Sequence, residues 1–128
     1  MKTTLYPTLE EALELHHHLL QRFGGKGGVR DLGLLQSALG RPQTGYYQSL
    51  SLQAAALMQS LAQNHSFVDG NKRVSFALTA IFLRMNGYRL VVEPDNGEEF
   101  LIEQVIRGKV DIETIARWIE AHIRPVKG

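Results

Sequence analysis

The sequence predicts a mainly α-helical fold: a compact bundle around a buried central helix, with at most a short strand or hairpin. In the stretches near both ends of the chain, apolar residues recur three and four positions apart, which is typical of helices with one buried face. Residues 74–85 are apolar except at Ser75, Thr79 and Arg84, so this helix is expected to be contacted on all sides. Only residues 88–92 have the composition of a strand.

The first predicted helix covers residues 9–22. Thr8 and Glu11 match a capping box, in which each side chain accepts a hydrogen bond from the other's backbone N–H. The apolar stripe of this helix consists of Leu9, Ala12, Leu13, His16, Leu20 and Phe23. His16, His17 and His18 cannot converge on one metal ion, because consecutive helical residues point about 100° apart. They are interpreted as solvated or half-buried imidazoles.

Two irregular segments flank the next predicted helix. The four glycines among residues 24–28 predict a loop, which is either a flexible connector or a mobile flap over an active site. Asp31 is expected to cap the short helix that follows. Residues 41–50 form the second connection, and its two tyrosines, Tyr46 and Tyr47, are expected to anchor it to the core.

The second half of the chain is predicted to contain four helices. Ser51 is expected to open the first, whose alanines permit close approach of the central helix. Gly87 is expected to end the central helix, because glycine readily adopts the left-handed conformation found after a helix. The last two helices are predicted at residues 97–107 and 111–123, and Trp118 is expected to cover a neighbouring element.

The composition excludes several classes of protein for this chain. With 128 residues, of which 44% are hydrophobic and 21% charged, the chain is expected to form one globular domain over residues 1–128. A net charge of +1 gives no broad basic surface, so direct nucleic-acid binding is not expected. The absence of cysteine excludes disulfides and thiolate zinc sites. With no apolar leader and no stretch long enough to span a bilayer, the protein is expected to be cytoplasmic, without membrane contact.

Residues 65–73, at the start of the central helix, carry the candidate chemistry. The unpaired N–H groups of a first helical turn attract anions such as phosphate. His65 is suited to move a proton near neutral pH, and Asp69 offers a hard oxygen ligand for Mg²⁺. The Gly70 backbone can approach a phosphate closely, and three further side chains can bind its oxygens: Asn71, Lys72 and Arg73. These groups suit phosphoryl or nucleotidyl transfer, and the residues alone leave both open.

The stretch His65-Ser66-Phe67-Val68-Asp69-Gly70-Asn71-Lys72-Arg73 resembles the motif His-x-Phe-x-[Asp/Glu]-[Gly/Ala]-Asn-[Gly/Lys]-Arg of Fic/Doc proteins. Residues 28–39 also resemble a segment that precedes this motif in death-on-curing (Doc) toxins. The resemblance implies a compact Fic/Doc helical bundle with the motif loop as its active site. Phe67 is assigned to the core, where it would pin this loop.

Lys72 separates two branches of the family that the motif resembles. Fic enzymes have glycine there and mostly transfer AMP to a hydroxyl group, whereas Doc-type toxins have lysine and pass the γ-phosphate of ATP to a threonine of elongation factor Tu. The resemblance therefore implies a Mg²⁺- and ATP-dependent protein kinase that arrests translation. By the same analogy His65 is the base, Asp69 holds Mg²⁺, and the phosphates are held by Gly70, Asn71, Lys72 and Arg73. Arg30 is expected to help dock the target or the nucleotide.

The mode of regulation also follows from the resemblance. Many Fic enzymes are inhibited by a helix bearing [Ser/Thr]-x-x-x-Glu-[Gly/Asn], and no Glu of this chain is followed by Gly or Asn. The resemblance to Doc implies instead a toxin of a type II toxin-antitoxin system, bound in trans by a Phd-like antitoxin. Two alternatives stay open: AMP transfer by the same site, and a catalytically inactive Fido module that keeps the fold for binding.

Overall fold

A computed structural model describes residues 3–126 and confirms a mainly α-helical bundle. In chain order, its helices are α1 (Leu9–Phe23), α2 (Leu32–Gly40), a short 3-10 helix (Arg41–Gln43), α3 (Leu50–Gln63), α4 (Asn71–Met85), α5 (Pro94–Glu99), a π-helix (Phe100–Arg107) and α6 (Ile112–His122). Two short strands, β1 (Tyr88–Leu90) and β2 (Ile123–Pro125), complete the described elements.

The centre of the bundle is the pair of helices α3 and α4. Ala54, Ala55 and Ala62 of α3 are buried, and these small side chains let the two helices approach closely, as predicted. At their contact the Ser75 hydroxyl donates to the Met58 carbonyl over 2.9 Å, so the buried serine is satisfied. Helix α4 is not enclosed on all sides, however, because Ile81 is 37% exposed. The central helix therefore buries one broad face.

The capping residues fix where most helices begin. Thr8 and Glu11 form the predicted capping box at α1, and Asp31 caps α2 by accepting from the Leu34 N–H. The predicted start of α3 at Ser51 was wrong by one residue, because Ser49 provides the cap and α3 begins at Leu50. The prediction for Tyr46 was also wrong, since this side chain is 80% exposed and does not anchor its loop. Tyr47, which is partly buried, accepts a hydrogen bond from Arg41.

The C-terminal part differs from the prediction in its boundaries. Gly87 follows α4 with a φ of 92°, as expected for a residue just beyond a helix. The strand-like run pairs antiparallel with β2, where the last helix had been expected to continue to Ile123. The helix predicted from residue 97 starts instead at Pro94 and changes to π-helical geometry at Phe100. Trp118 stacks on the Phe100 ring at a centroid distance of 4.2 Å, which confirms its covering role.

Within residues 3–126, the buried apolar side chains other than Ala56 form one continuous cluster built around α3 and α4. Phe67 belongs to it and is 1% exposed, so the loop before α4 is pinned to the core as predicted. Within the same residues, no helix combines the length and the apolar composition that a membrane span requires.

Candidate active site at the start of helix α4

The residues predicted to carry the chemistry line one cavity of about 880 Å³. His65 and the run from Asp69 to Arg73 form its polar wall. The rest of the lining forms a largely apolar wall from α1, α3, α4, α5 and the π-helix, which includes Phe23, Phe76, Leu101, Ile102 and Ile106. Arg30 does not line the cavity. A cavity with both a polar, cationic part and an apolar part suits a ligand that is charged at one end and apolar at the other.

The N-terminus of α4 opens into this cavity without a side-chain cap. Helices α1, α2, α3 and α6 are each capped by a Thr, Asp or Ser side chain, whereas α4 follows Gly70 and has no such cap. Gly70 adopts a left-handed φ of 84°, which glycine tolerates without strain. The first bond of α4 runs from the Val74 N–H to the Gly70 carbonyl, so the N–H groups of the three preceding residues have no partner within the helix. Such N–H groups form an anion-binding site.

Asn71 shapes the loop that precedes α4. Its side-chain oxygen accepts from the Phe67 N–H and its amide nitrogen donates to the Phe67 carbonyl, both over 3.0 Å. These two bonds close the segment from Phe67 to Asn71 into a ring and leave one amide hydrogen free for a ligand. The prediction that Asn71 binds phosphate stays a prediction, and the geometry gives this residue a shaping role in addition.

Asp69 presents an exposed, ionised carboxylate at the cavity. One of its oxygens accepts from the Lys26 N–H over 3.2 Å, and the other accepts from the Gly70 N–H over 2.9 Å. Both bonds lower the pKa of Asp69, and the bond from Lys26 has the larger effect. The nearby charge of Arg73 lowers this pKa further. A Cβ on Gly25 would lie 2.8 Å from the Asp69 carboxylate, so the close approach of the glycine loop requires glycine at that position.

The donor set limits the type of metal site. Among residues 3–126, no group of three or more His, Asp or Glu side chains could hold a metal ion together. Asp69 alone fits Mg²⁺, because this ion usually binds one or two carboxylates and takes its other ligands from water and substrate phosphates. The residues present therefore fit a magnesium ion that arrives with a phosphate ligand and do not fit a closed protein cage.

His65 is exposed at the cavity and has a left-handed backbone with a φ of 51°. Such a conformation is uncommon outside glycine and persists where surrounding contacts hold it. Arg30 supplies two of these contacts, because its Nε donates to the His65 carbonyl and its Nη2 donates to the Asn64 carbonyl over 3.1 Å. The guanidinium thus holds the two peptide groups that flank His65, one before and one after this residue. Its predicted docking role stays a prediction.

The segment from Gly28 to Asp31 runs along the active-site loop. The Val68 N–H donates to the Gly28 carbonyl over 3.0 Å, and the Arg30 and Asp31 N–H groups both donate to the Ser66 carbonyl. Together with the bond from Lys26 to Asp69, these contacts attach the glycine loop to the site from end to end. The glycine loop therefore lies beside the site, where a flap would have to be; the flap and the flexible connector both stay predictions.

Two cations extend the polar wall along the first turn of α4. Lys72 and Arg73 are exposed and line the cavity. The Arg73 guanidinium lies 4.6 Å from the centroid of the Phe23 ring, a distance at which a cation is attracted to the face of an aromatic ring. Phe23 therefore orients Arg73 over the cavity. The position of Phe23 as the last residue of α1 gave no local signal of this contact.

The three histidines of α1 have different environments. His17 and His18 are exposed, whereas His16 is only 5% exposed and its Nε2 lies 2.8 Å from the Asp69 carbonyl. The interpretation of all three as solvated or half-buried imidazoles was therefore wrong for His16. Its place on the apolar stripe of α1 was the signal that could have identified it as buried.

The comparisons with known proteins agree with the fold and the motif. The Fic/DOC family profile matches residues 6–83, which include Arg30 and the whole loop from His65 to Arg73. A protein of Mycolicibacterium smegmatis named Toxin Doc is 46% identical over 100 residues, which are 73% of this chain and 77% of that protein. A protein of Escherichia phage P1 named Protein kinase doc is 29% identical over 111 residues, which are 84% of this chain and 86% of that protein.

Proposed function

The chain belongs to the Fic/DOC family, and from this premise we propose that it is a Doc-type toxin that acts as a protein kinase. It transfers the γ-phosphate of ATP to a threonine or serine hydroxyl of a translation factor, elongation factor Tu by analogy, and so arrests translation. The names of the two relatives, a toxin and a protein kinase, support this proposal. The protein acts in the cytoplasm and is restrained in trans by a Phd-like antitoxin of a type II toxin-antitoxin system.

The observation that carries the proposal is the uncapped N-terminus of α4 in a cavity that also holds His65 and Asp69. Phosphoryl transfer needs little covalent chemistry from the protein, since positioning and charge neutralisation supply most of the catalysis. The free N–H groups of the first turn, with Lys72 and Arg73, provide the positive field for a polyphosphate. The apolar wall of the same cavity can accept the uncharged part of a nucleotide.

In the proposed reaction the target hydroxyl oxygen attacks the γ-phosphorus of ATP. His65 takes the hydroxyl proton as the new O–P bond forms. The bond between the γ-phosphorus and the β,γ-bridging oxygen breaks, and the electron pair leaves with ADP. Gly70, Asn71, Lys72 and Arg73 hold the phosphates in line for this displacement. Asp69 would hold Mg²⁺, which when bound neutralises charge on the phosphates.

Lys72 favours the kinase over AMP transfer by the same site. Its long cationic side chain occupies space that a glycine would leave open to an α-phosphate, and it places a charge at the cavity instead. The discriminating experiment incubates the purified protein and its target with ATP labelled at either the α- or the γ-phosphate. Label from the γ position alone is expected, whereas label transferred from the α position would identify an AMP transferase.

A catalytically inactive Fido module is the alternative from another functional class. His65→Ala removes the base without touching the buried side of the loop, so the variant is expected to fold and to lose toxicity. Growth arrest that survives this substitution would favour a binding module. A circular dichroism spectrum and a thermal melt like those of the wild type would establish that the variant is folded.

A further inference from the structure

A buried imidazole lies beneath the candidate phosphate-binding turn. Helix α1 carries three consecutive histidines, and His16 alone among them is buried, at 5% exposure. The proposed reaction assigns no role to it. Burying an imidazole is unfavourable unless its polar atoms are bonded, so its partners indicate what it does.

The polar partner of His16 is a backbone atom of the site. Nε2 lies 2.8 Å from the Asp69 carbonyl oxygen. A carbonyl oxygen can only accept, so Nε2 carries the hydrogen and donates it. This bond joins α1 to the one residue of the loop whose carboxylate faces the cavity. The orientation of the peptide between Asp69 and Gly70 is thereby tied to α1.

The ring of His16 also supports the turn by packing. It stacks on Phe67 with a centroid distance of 3.9 Å and an interplanar angle of 17°, and Phe67 is itself 1% exposed. A Cβ built on Gly70 would lie 3.6 Å from Cδ2 and Nε2 of His16, so the ring lies directly against this glycine. The imidazole therefore packs against both ends of the segment from Phe67 to Gly70.

We propose that His16 is a positioning residue for nucleotide binding, which it supports through the Asp69–Gly70 peptide. The bond to the Asp69 carbonyl holds that peptide so that the Asp69 carboxylate and the open end of α4 face the same ligand. This inference rests on the proposed function, because the ligand concerned is the magnesium complex of ATP. His16 contacts no reacting atom, and its effect passes through the backbone of the loop.

The test compares His16→Phe with His17→Phe. Phenylalanine keeps a ring that can stack on Phe67 and lacks the N–H donor, while His17 is an exposed neighbour on the same helix and serves as the matched control. Calorimetry with Mg²⁺ and a non-hydrolysable ATP analogue is expected to give a Kd roughly tenfold higher for His16→Phe, since the Asp69 carbonyl loses the donor that holds its peptide. The Kd of His17→Phe is expected to stay within about twofold of the wild type.

A second readout separates this inference from the proposed function. The Gly70 N–H donates to the Asp69 carboxylate, so its hydrogen exchange in the nucleotide-free protein reports on the turn directly. Faster exchange at Gly70 in His16→Phe, with unchanged exchange in the core of α3, is expected. A wild type that binds no nucleotide would refute the proposed function, and the exchange at Gly70 would still decide the role of His16. Wild-type Kd and wild-type exchange in His16→Phe would overturn the inference.

A second pair of variants keeps the test decisive if His16→Phe does not fold. His16→Gln and His16→Met have side chains of similar length, and glutamine alone offers an N–H donor to the Asp69 carbonyl. His16→Gln is expected to bind the magnesium–nucleotide complex several-fold more tightly than His16→Met. Equal affinities of the two variants would refute the role of the hydrogen bond.

Discussion

Replacing Arg30 with alanine distinguishes positioning of the catalytic base from direct nucleotide binding. The substitution removes the hydrogen bonds from the guanidinium to the His65 and Asn64 carbonyls. A hydrogen bond from a charged donor contributes about 1.5–3 kcal/mol when buried, and the exposure of Arg30 reduces this to about 1 kcal/mol each. The left-handed backbone of His65 costs at least about 1 kcal/mol, which these bonds help to offset.

The loss of about 1–2 kcal/mol is expected to move His65 out of its active position for much of the time. Because the proposed nucleotide-binding groups lie at the other end of the stretch from His65 to Arg73, at residues 70–73, kcat is expected to fall roughly tenfold while the Kd for the magnesium–nucleotide complex changes less than about twofold. Arg30→Lys, which keeps the charge but lacks the rigid fork of the guanidinium, is expected to be intermediate. Steady-state kinetics with γ-labelled ATP and calorimetry provide the two quantities.

The control is Arg84→Ala, which removes an exposed arginine at the far end of α4. It is expected to leave both kcat and Kd unchanged. If Arg30→Ala instead raised the Kd and left kcat unchanged, Arg30 would contact the nucleotide, which is one of the two docking roles predicted from the sequence. Such a result would refute a positioning role of Arg30.

Three further predictions concern Asp69 and Gly70, which precede α4, and the Asp31 cap of α2. The pKa of Asp69 is lowered in the folded protein, so its carboxylate stabilises the fold at neutral pH and this contribution is lost as the pH falls through the folded-state value. In a calorimetric pH series the difference in affinity for the magnesium–nucleotide complex between the wild type and Asp69→Asn should therefore disappear only below the ordinary pKa range of aspartate. At neutral pH, Asp69→Asn should remove the Mg²⁺ dependence, and retained dependence would exclude Asp69 as the ligand. Gly70→Ala should cost about 1 kcal/mol in denaturant unfolding, because its φ of 84° is unfavourable for alanine although a Cβ has room there. Asp31→Ala should cost about 1 kcal/mol in the same assay through loss of the α2 cap, whereas Asp31→Asn should stay within a few tenths.

The sequence predicted the features that depend on local chemistry. The pattern of Thr8 and Glu11 specifies a capping box whatever the rest of the chain does, and the glycine after α4 specifies a helix end. Ser49 and Ser51 are equally good capping residues, so local preference could not choose between them. A tertiary contact distinguishes the two serines, since the buried Ser51 hydroxyl donates to Glu120 of α6 over 3.2 Å and Ser49 serves as the cap.

The candidate site was predicted where its residues are contiguous. Seven residues of the nine-residue stretch from His65 to Arg73 line one cavity, because neighbours in sequence at a helix start stay close in space. The contacts that hold this loop come from far away in the chain. His16 is 53 positions from Asp69, and Arg30 is 35 positions from His65. Arg30 was predicted as a docking residue, but no spacing rule connects residues across such separations. The contacts of His16 and Arg30 with the loop are therefore seen only in the packed structure.

We propose above that the open end of α4 and His65 together transfer a phosphoryl group to a protein hydroxyl. The most direct test is the intact mass of purified elongation factor Tu after incubation with the protein and Mg-ATP. We expect an increase by the mass of one phosphoryl group that is absent with His65→Ala. An increase by the mass of AMP, or the same phosphoryl increase with His65→Ala, would refute the proposed function.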